Sequence, residues 1–168
     1  PLWASYLVKA YAWRAMFSAT GPIAWVLAPF GLSSPGYGLA ATVITLSYLW
    51  LPYMILPMYA GLERLPNSLL EASADLGAGS GTTLRRVVLP VLFPAFVAGS
   101  IFTFSLTLGD YIIPSVVGAP GYFIGMMVYQ QQGTAGNLPL AAAFSVVPIV
   151  LISLYLMLAK RLGAFDAL

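Results

Sequence analysis

The chain has 168 residues, of which 60% are hydrophobic and 7% charged, with a mean hydropathy of +0.90 and a net charge of +2. Soluble domains carry about 25% charged residues, so this composition belongs to a membrane protein. The sequence holds no cysteine and no histidine, which excludes a disulfide framework, a Cys- or His-liganded metal site and a Ser/His or Cys/His nucleophilic pair within it, while the small, dispersed charge gives no nucleic-acid footprint.

The chain opens on Pro1, and "PLWASYLVKAYAWR" has no charged segment ahead of an apolar core. It is not a signal peptide, and it reads as a piece of a longer protein whose N-terminal part is missing. "PIAWVLAPFGL" (22–32) is too short to span and is expected at the membrane interface, with Trp25 at the headgroup level. "LSSPGYG" (32–38) is a turn by its Ser, Pro and Gly content.

Three stretches reach the roughly 20 apolar residues needed to cross about 30 Å of hydrocarbon. They are 38–60, 87–108 and 138–159, each without a charged residue. Segments this long and continuous must be helices, because lipid offers no partner to an unsatisfied backbone group. The expected fold is an all-α polytopic transmembrane helical bundle. "YFIGMMVYQQQ" (122–132) reads as a short amphipathic helix before the last span. Prolines fall within the spans at Pro52, Pro57, Pro90, Pro94 and Pro148. Each removes a helical hydrogen bond and favours a bend, which serves either bent packing or an opening between helices.

Lys and Arg set the orientation. Arg64, Arg85, Arg86, Lys160 and Arg161 lie on one side of the three spans, and Lys9 and Arg14 on the other. The connection 61–86 and the C-terminus are therefore expected in the cytoplasm. Lys9 and Arg14 then face outward, as interfacial anchors or as contacts for a docking protein.

Six of the 12 charged residues lie between Glu63 and Arg86. Within that connection, Ser68 and Glu71 match a capping box, in which Ser68 caps the first turn and Glu71 reaches back to the Ser68 backbone. A short helix follows, and Gly77 suits the left-handed position that ends it. Thr82 or Thr83 is then placed to cap a helix running through Arg85 and Arg86 into the membrane. Two local rules are broken. Glu71 and Asp75 are like charges four residues apart, and Asp75 sits in the last turn, where the helix dipole disfavours an anion. Asp75 either pairs with Arg85 or Arg86 or contacts something outside the chain.

"EASADLG", nine residues and then "VVLP" resembles the EAA signature of ATP-binding-cassette importer permeases, which reads Glu-Ala-Ala, three residues, Gly, nine residues, Ile, one residue, Leu-Pro. Glu71, Ala72, Gly77, Leu89 and Pro90 match in register, with Ser73 and Val87 as mild departures. "YLVKAYAWR", "LPYMILPMYAGLERL", "LGDYIIPSVVGAP" and "IGMMVYQQQ" look like the spermidine/putrescine branch of these permeases. The resemblance implies the C-terminal half of a six-span permease domain, a multi-pass protein of the bacterial inner membrane. It implies that Glu71, Ala72, Asp75, Gly77, Leu89 and Pro90 belong to a loop that docks on a separate ATPase subunit. The implied partners are an ATPase dimer carrying the ATP and Mg, a second permease subunit, a periplasmic or lipoprotein binding protein, and membrane lipid. The chain itself has no phosphate-binding P-loop sequence, and the resemblance implies a transporter subunit that is not an enzyme and has no cofactor of its own. "GAGSG" (77–81) lacks the following Lys and reads as a turn.

For the substrate path, Asp110 lies at the outer end of the 87–108 span and is placed to attract a cation. The aromatic residues Phe104, Tyr111, Trp50 and Tyr53 are candidates for cation–π contacts of about 0.5–2 kcal/mol each. The plain alternative is a solvated interface carboxylate with packing or belt aromatics. Two other classes remain in view. A secondary transporter or channel tends to hold ionisable residues within its spans, and these spans have none. A membrane enzyme would need a base or paired carboxylates.

Overall fold

The computed structural model describes residues 4–118, 121, 123–133 and 135–162. Of the stretches singled out above, residues 1–3, the 119–120 end of "LGDYIIPSVVGAP" and Tyr122 lie outside the described residues. The described residues are helices and turns, with no strand among them. In chain order the α-helices are α1 (Tyr6–Phe17), α2 (Pro22–Leu27), α3 (Leu39–Glu63), α4 (Asn67–Asp75), α5 (Ser80–Thr83), α6 (Leu89–Gly109), α7 (Ile112–Val117), α8 (Ile124–Gly133) and α9 (Leu138–Arg161).

Three helical segments are long and apolar enough to cross a membrane: Leu39–Glu63, Ser80–Gly109 and Leu138–Arg161. The first begins one residue into its apolar stretch and runs past its end, and the other two contain theirs and run past at one or both ends. Charged residues end an apolar run without ending a helix, so α3 continues to Glu63 and α9 to Arg161. Leu84–Val88 is a π-helical turn joining α5 to α6. The Leu89 N–H reaches back to the Leu84 carbonyl, and Pro90 follows at once. Proline has no N–H and presses on the carbonyl four residues before it; a widened turn ahead of it relieves that crowding without breaking the helix.

The chain forms two compact units. One takes the described residues of 1–52 and 105–152. Its core is Ala10 and Phe17 of α1, Ala41, Leu46 and Leu49 of α3, and Ile113 and Val117 of α7, flanked by Trp13 and Trp50. Trp13 packs on Phe17 one turn later at 5.5 Å and on Tyr48 at 5.3 Å. In apolar α3, the buried hydroxyls of Thr42 and Thr45 donate to the carbonyls of Gly38 (2.9 Å) and Ala41 (2.7 Å) one turn back, so neither is left unsatisfied. Pro22–Leu27 and the 3₁₀ turn Ala28–Phe30 hold no buried residue, and Trp25 is 79% exposed.

The other unit takes the described residues of 53–104 and 153–168. Small residues bring its helices close, as interhelical packing in lipid favours. Gly61 of α3 lies against Ala95 and Leu92 of α6, and Gly99 of α6 against Met54 of α3. Val97 of α6 and Ala159 of α9 are buried together, with Ile101 packed beside them. The Ser100 hydroxyl of α6 meets the Tyr155 hydroxyl of α9 at 2.5 Å. Residues 53–63 and 89–104 are thus the stem that carries α4 and α5.

Candidate functional site

The connection between α3 and α6 is a helical hairpin. Its first helix, α4, starts at Asn67 with Pro66 as N-cap and no side-chain cap. The capping box on Ser68 is therefore not formed. Proline's fixed φ, −68° here, pre-sets the entry, and the Pro66 carbonyl accepts the Leu69 N–H at 3.1 Å, so the helix begins a residue ahead of Ser68. The end of α4 is as expected. Gly77 has φ +75°, the Ala78 N–H bonds the Ser73 carbonyl at 3.0 Å, and the Gly77 N–H bonds the Ala74 carbonyl at 2.8 Å. This is a complete Schellman motif.

The second helix begins at Ser80 after Gly79, again without a side-chain cap, so neither Thr82 nor Thr83 caps it. The Thr83 hydroxyl instead shares a 2.8 Å hydrogen bond with the hydroxyl of Ser73, which is buried. Thr83 thereby clamps α5 to α4 on the inner side of the Gly77 turn. On the outer side, Leu76 is 87% exposed, Leu69 is partly exposed, and Glu71 and Asp75 are both exposed. Arg85 and Arg86 are exposed as well, and among the described residues no ion pair joins them to Asp75. A cleft of about 530 Å³ runs between the two helices, bounded by Leu69, Ser73, Leu76, Gly79, Thr82 and Arg86. Leu89 and Pro90 open α6 directly after the π turn and are exposed.

The five candidate path residues fall in both units. Trp50, Asp110 and Tyr111 belong to the unit of α1 and α7; Tyr53 and Phe104 belong to the other. Asp110 is half-buried, and both its carboxylate oxygens are taken up by groups of this unit. One carboxylate oxygen accepts the Tyr6 hydroxyl at 2.5 Å and the other accepts the Ile113 N–H at 3.0 Å. The second bond satisfies an orphan donor at the start of α7, where an anion is favoured by the helix dipole. Trp50 stacks on Tyr6 at 6.1 Å. Tyr111 stacks on Tyr129 at 4.5 Å with the planes 11° apart. Phe104 stacks on Tyr155 at 4.6 Å. Arg14 donates to the Val116 carbonyl at 2.7 Å, and its guanidinium lies 5.2 Å from the centre of the Tyr37 ring, so it fastens α1 to α7 and to the loop before α3.

Tyr6, Ser73, Thr83 and Tyr129 carry contacts that no local pattern in the sequence marks. Tyr6 and Tyr129 lie in the quoted stretches "YLVKAYAWR" and "IGMMVYQQQ", but nothing local marks a tyrosine whose partner is 104 positions away.

Residues 7–164 match the family of binding-protein-dependent transport system inner membrane components. The chain belongs to this family. Among its relatives, the inner membrane ABC transporter permease protein YdcU of Escherichia coli (strain K12) is 55% identical over 186 aligned positions, covering 100% of this chain and 58% of that protein. The spermidine/putrescine transport system permease protein PotB of Haemophilus influenzae is 30% identical, over 96% of this chain and 58% of its own length. PotC of the Escherichia coli spermidine/putrescine system is 34% identical over 69% of this chain and 44% of its own. The chain thus spans 58% of the length of both YdcU and PotB. As a binding-protein-dependent inner membrane component, it is an all-α membrane protein.

Proposed function

We infer that the chain is part of a permease subunit of a binding-protein-dependent ABC importer, and that it couples ATP hydrolysis on a partner subunit to movement of a small organic cation, a polyamine or a relative of one. The observation that carries the coupling is the hairpin. Its turn is locked by the Schellman motif at Gly77 and by the Ser73–Thr83 bond, while Leu76 stands in the open beside Glu71 and Asp75. A short rigid helix with exposed leucine and carboxylates suits a groove on a soluble partner. Its stem is α3 and α6, which hold each other at Gly61 and Gly99, so a push on α4 reaches the spans through close packing.

In this reading the hairpin and the C-terminus lie in the cytoplasm, following the excess of Lys and Arg on that side. ATP and Mg bind the ATPase dimer. A second permease subunit and an external binding protein complete the assembly. The cation preference is supported by the names of the PotB and PotC relatives and by Asp110, a carboxylate that directly precedes Tyr111, whose ring stacks on Tyr129 of α8. The test is to purify the full-length protein from its native membrane in mild detergent. An ATPase and a second permease should co-purify, with hydrolysis that rises when the binding protein and putrescine are added. Recovery of the protein alone, with no hydrolysis, would contradict the proposal.

A further inference from the structure

We propose that the cleft between α8 and the end of α6 is a binding subsite for the ammonium group of an organic amine. The cleft encloses about 500 Å³, and its wall includes Gly109, Tyr111, Gly125, Tyr129, Gln132 and Gly133. Several independent features of it favour positive charge. The stacked rings of Tyr111 and Tyr129 form an aromatic wall, and a cation within about 6 Å of such a ring is drawn by its quadrupole. Two helices end on the cleft: α6 at Gly109 and α8 at Gly133. Both present the electronegative end of the helix dipole, which stabilises cations and repels anions. Gln132 also lines the cleft, and its amide oxygen can accept a hydrogen bond from an N–H donor.

The geometry is held by Gly125. A methyl group built there would lie 2.9 Å from the carbonyl oxygens of both Gly109 and Asp110, closer than such atoms approach. Only glycine lets α8 sit directly on the end of α6, and that seating places Tyr129 on Tyr111. The Asp110 carboxylate is taken up by Tyr6 and Ile113, so it contributes field to the cleft and no direct contact. The charge preference rests on these features alone. That the bound amine is a transported solute rests on the importer reading above.

The test uses the full-length permease with its partner subunits in nanodiscs, and labelled putrescine as the probe. Tyr129→Leu should weaken binding about tenfold and Tyr129→Phe no more than about twofold, because phenylalanine keeps the ring face. Tetramethylammonium should compete; glutamate and glucose should not. Putrescine binding unchanged in Tyr129→Leu, or displaced equally well by glutamate, would overturn the subsite. If Tyr129→Leu lowers the melting temperature, the exposed Gln132→Leu carries the test, with a loss of about threefold expected and no loss overturning the proposal. The same samples in vesicles separate the two readings. Tyr129-dependent binding without ATP-driven uptake would keep the subsite and sink the importer. ATP-driven uptake indifferent to both variants would do the reverse.

Discussion

Ser73 and Thr83 share a 2.8 Å hydrogen bond across the Gly77 turn, and Ser73 is the buried member of the pair. The two substitutions that break this bond should therefore differ. Thr83→Val strands a buried hydroxyl and should destabilise the hairpin by about 1–3 kcal/mol. Ser73→Ala leaves Thr83 with water and a long 3.4 Å contact to the Gly79 carbonyl, and should cost less than about 1 kcal/mol. Hydrogen exchange of the 67–83 amides in the two variants and the double variant measures the difference; equal exchange in both would show that the bond does not clamp the hairpin.

Gly77 holds φ +75° with open space around its α-carbon. The cost of a side chain there is purely conformational. Gly77→Ala should destabilise the end of α4 by about 1–2 kcal/mol, and Gly77→Asn by less, because asparagine tolerates the left-handed region. Faster exchange of the Ala78 amide, whose bond to Ser73 closes the motif, is the expected readout.

Tyr6 and Asp110 tie α1 to the start of α7. Tyr6→Phe keeps the stacking on Trp50 but removes the donor, and should lower stability by about 1–3 kcal/mol. Asp110→Asn retains an oxygen for the Ile113 N–H and should cost less. Thermal melts of the purified protein rank the two; the opposite order would remove the hydroxyl–carboxylate bond from the account of this unit.

Ser100 and Tyr155 join α6 to α9 inside apolar segments. Bonds of this kind between membrane helices contribute about 0.6 kcal/mol on average. Tyr155→Phe should therefore be mild, since the ring still stacks on Phe104, whereas Tyr155→Ala should lose several times more. A double-mutant cycle with Ser100→Ala checks the coupling.

The legible parts of this fold were those written locally. The three apolar stretches announced three long helices, since a spanning segment has one way to satisfy its backbone. Gly77 announced the end of α4, since a left-handed turn after an alanine-rich helix has a glycine signature. Local chemistry also misled. Ser68 and Glu71 have capping-box spacing, but Pro66 starts the helix earlier. Thr83 sits where a cap belongs, yet its hydroxyl turns to Ser73. The π turn before Pro90 has no composition signal of its own. The aromatic residues were visible as candidates, but their pairing was not: Tyr6 finds Asp110 and Tyr111 finds Tyr129 only through the packing of helices distant in sequence.

If the α4 hairpin passes the work of ATP hydrolysis to the spans, as proposed, its exposed side chains are needed for uptake. The most direct measurement compares putrescine uptake with ATP hydrolysis in proteoliposomes holding the full-length permease and its partners, for wild type, Glu71→Ala and Leu76→Ser. Both side chains are exposed, so neither change should disturb folding. Uptake should fall at least about tenfold, as expected when a contact residue of a docking surface is lost, while the permease stays in the membrane and binding-protein-stimulated hydrolysis is lost with it. Wild-type uptake and stimulation in both variants would show that the hairpin does not couple hydrolysis to transport.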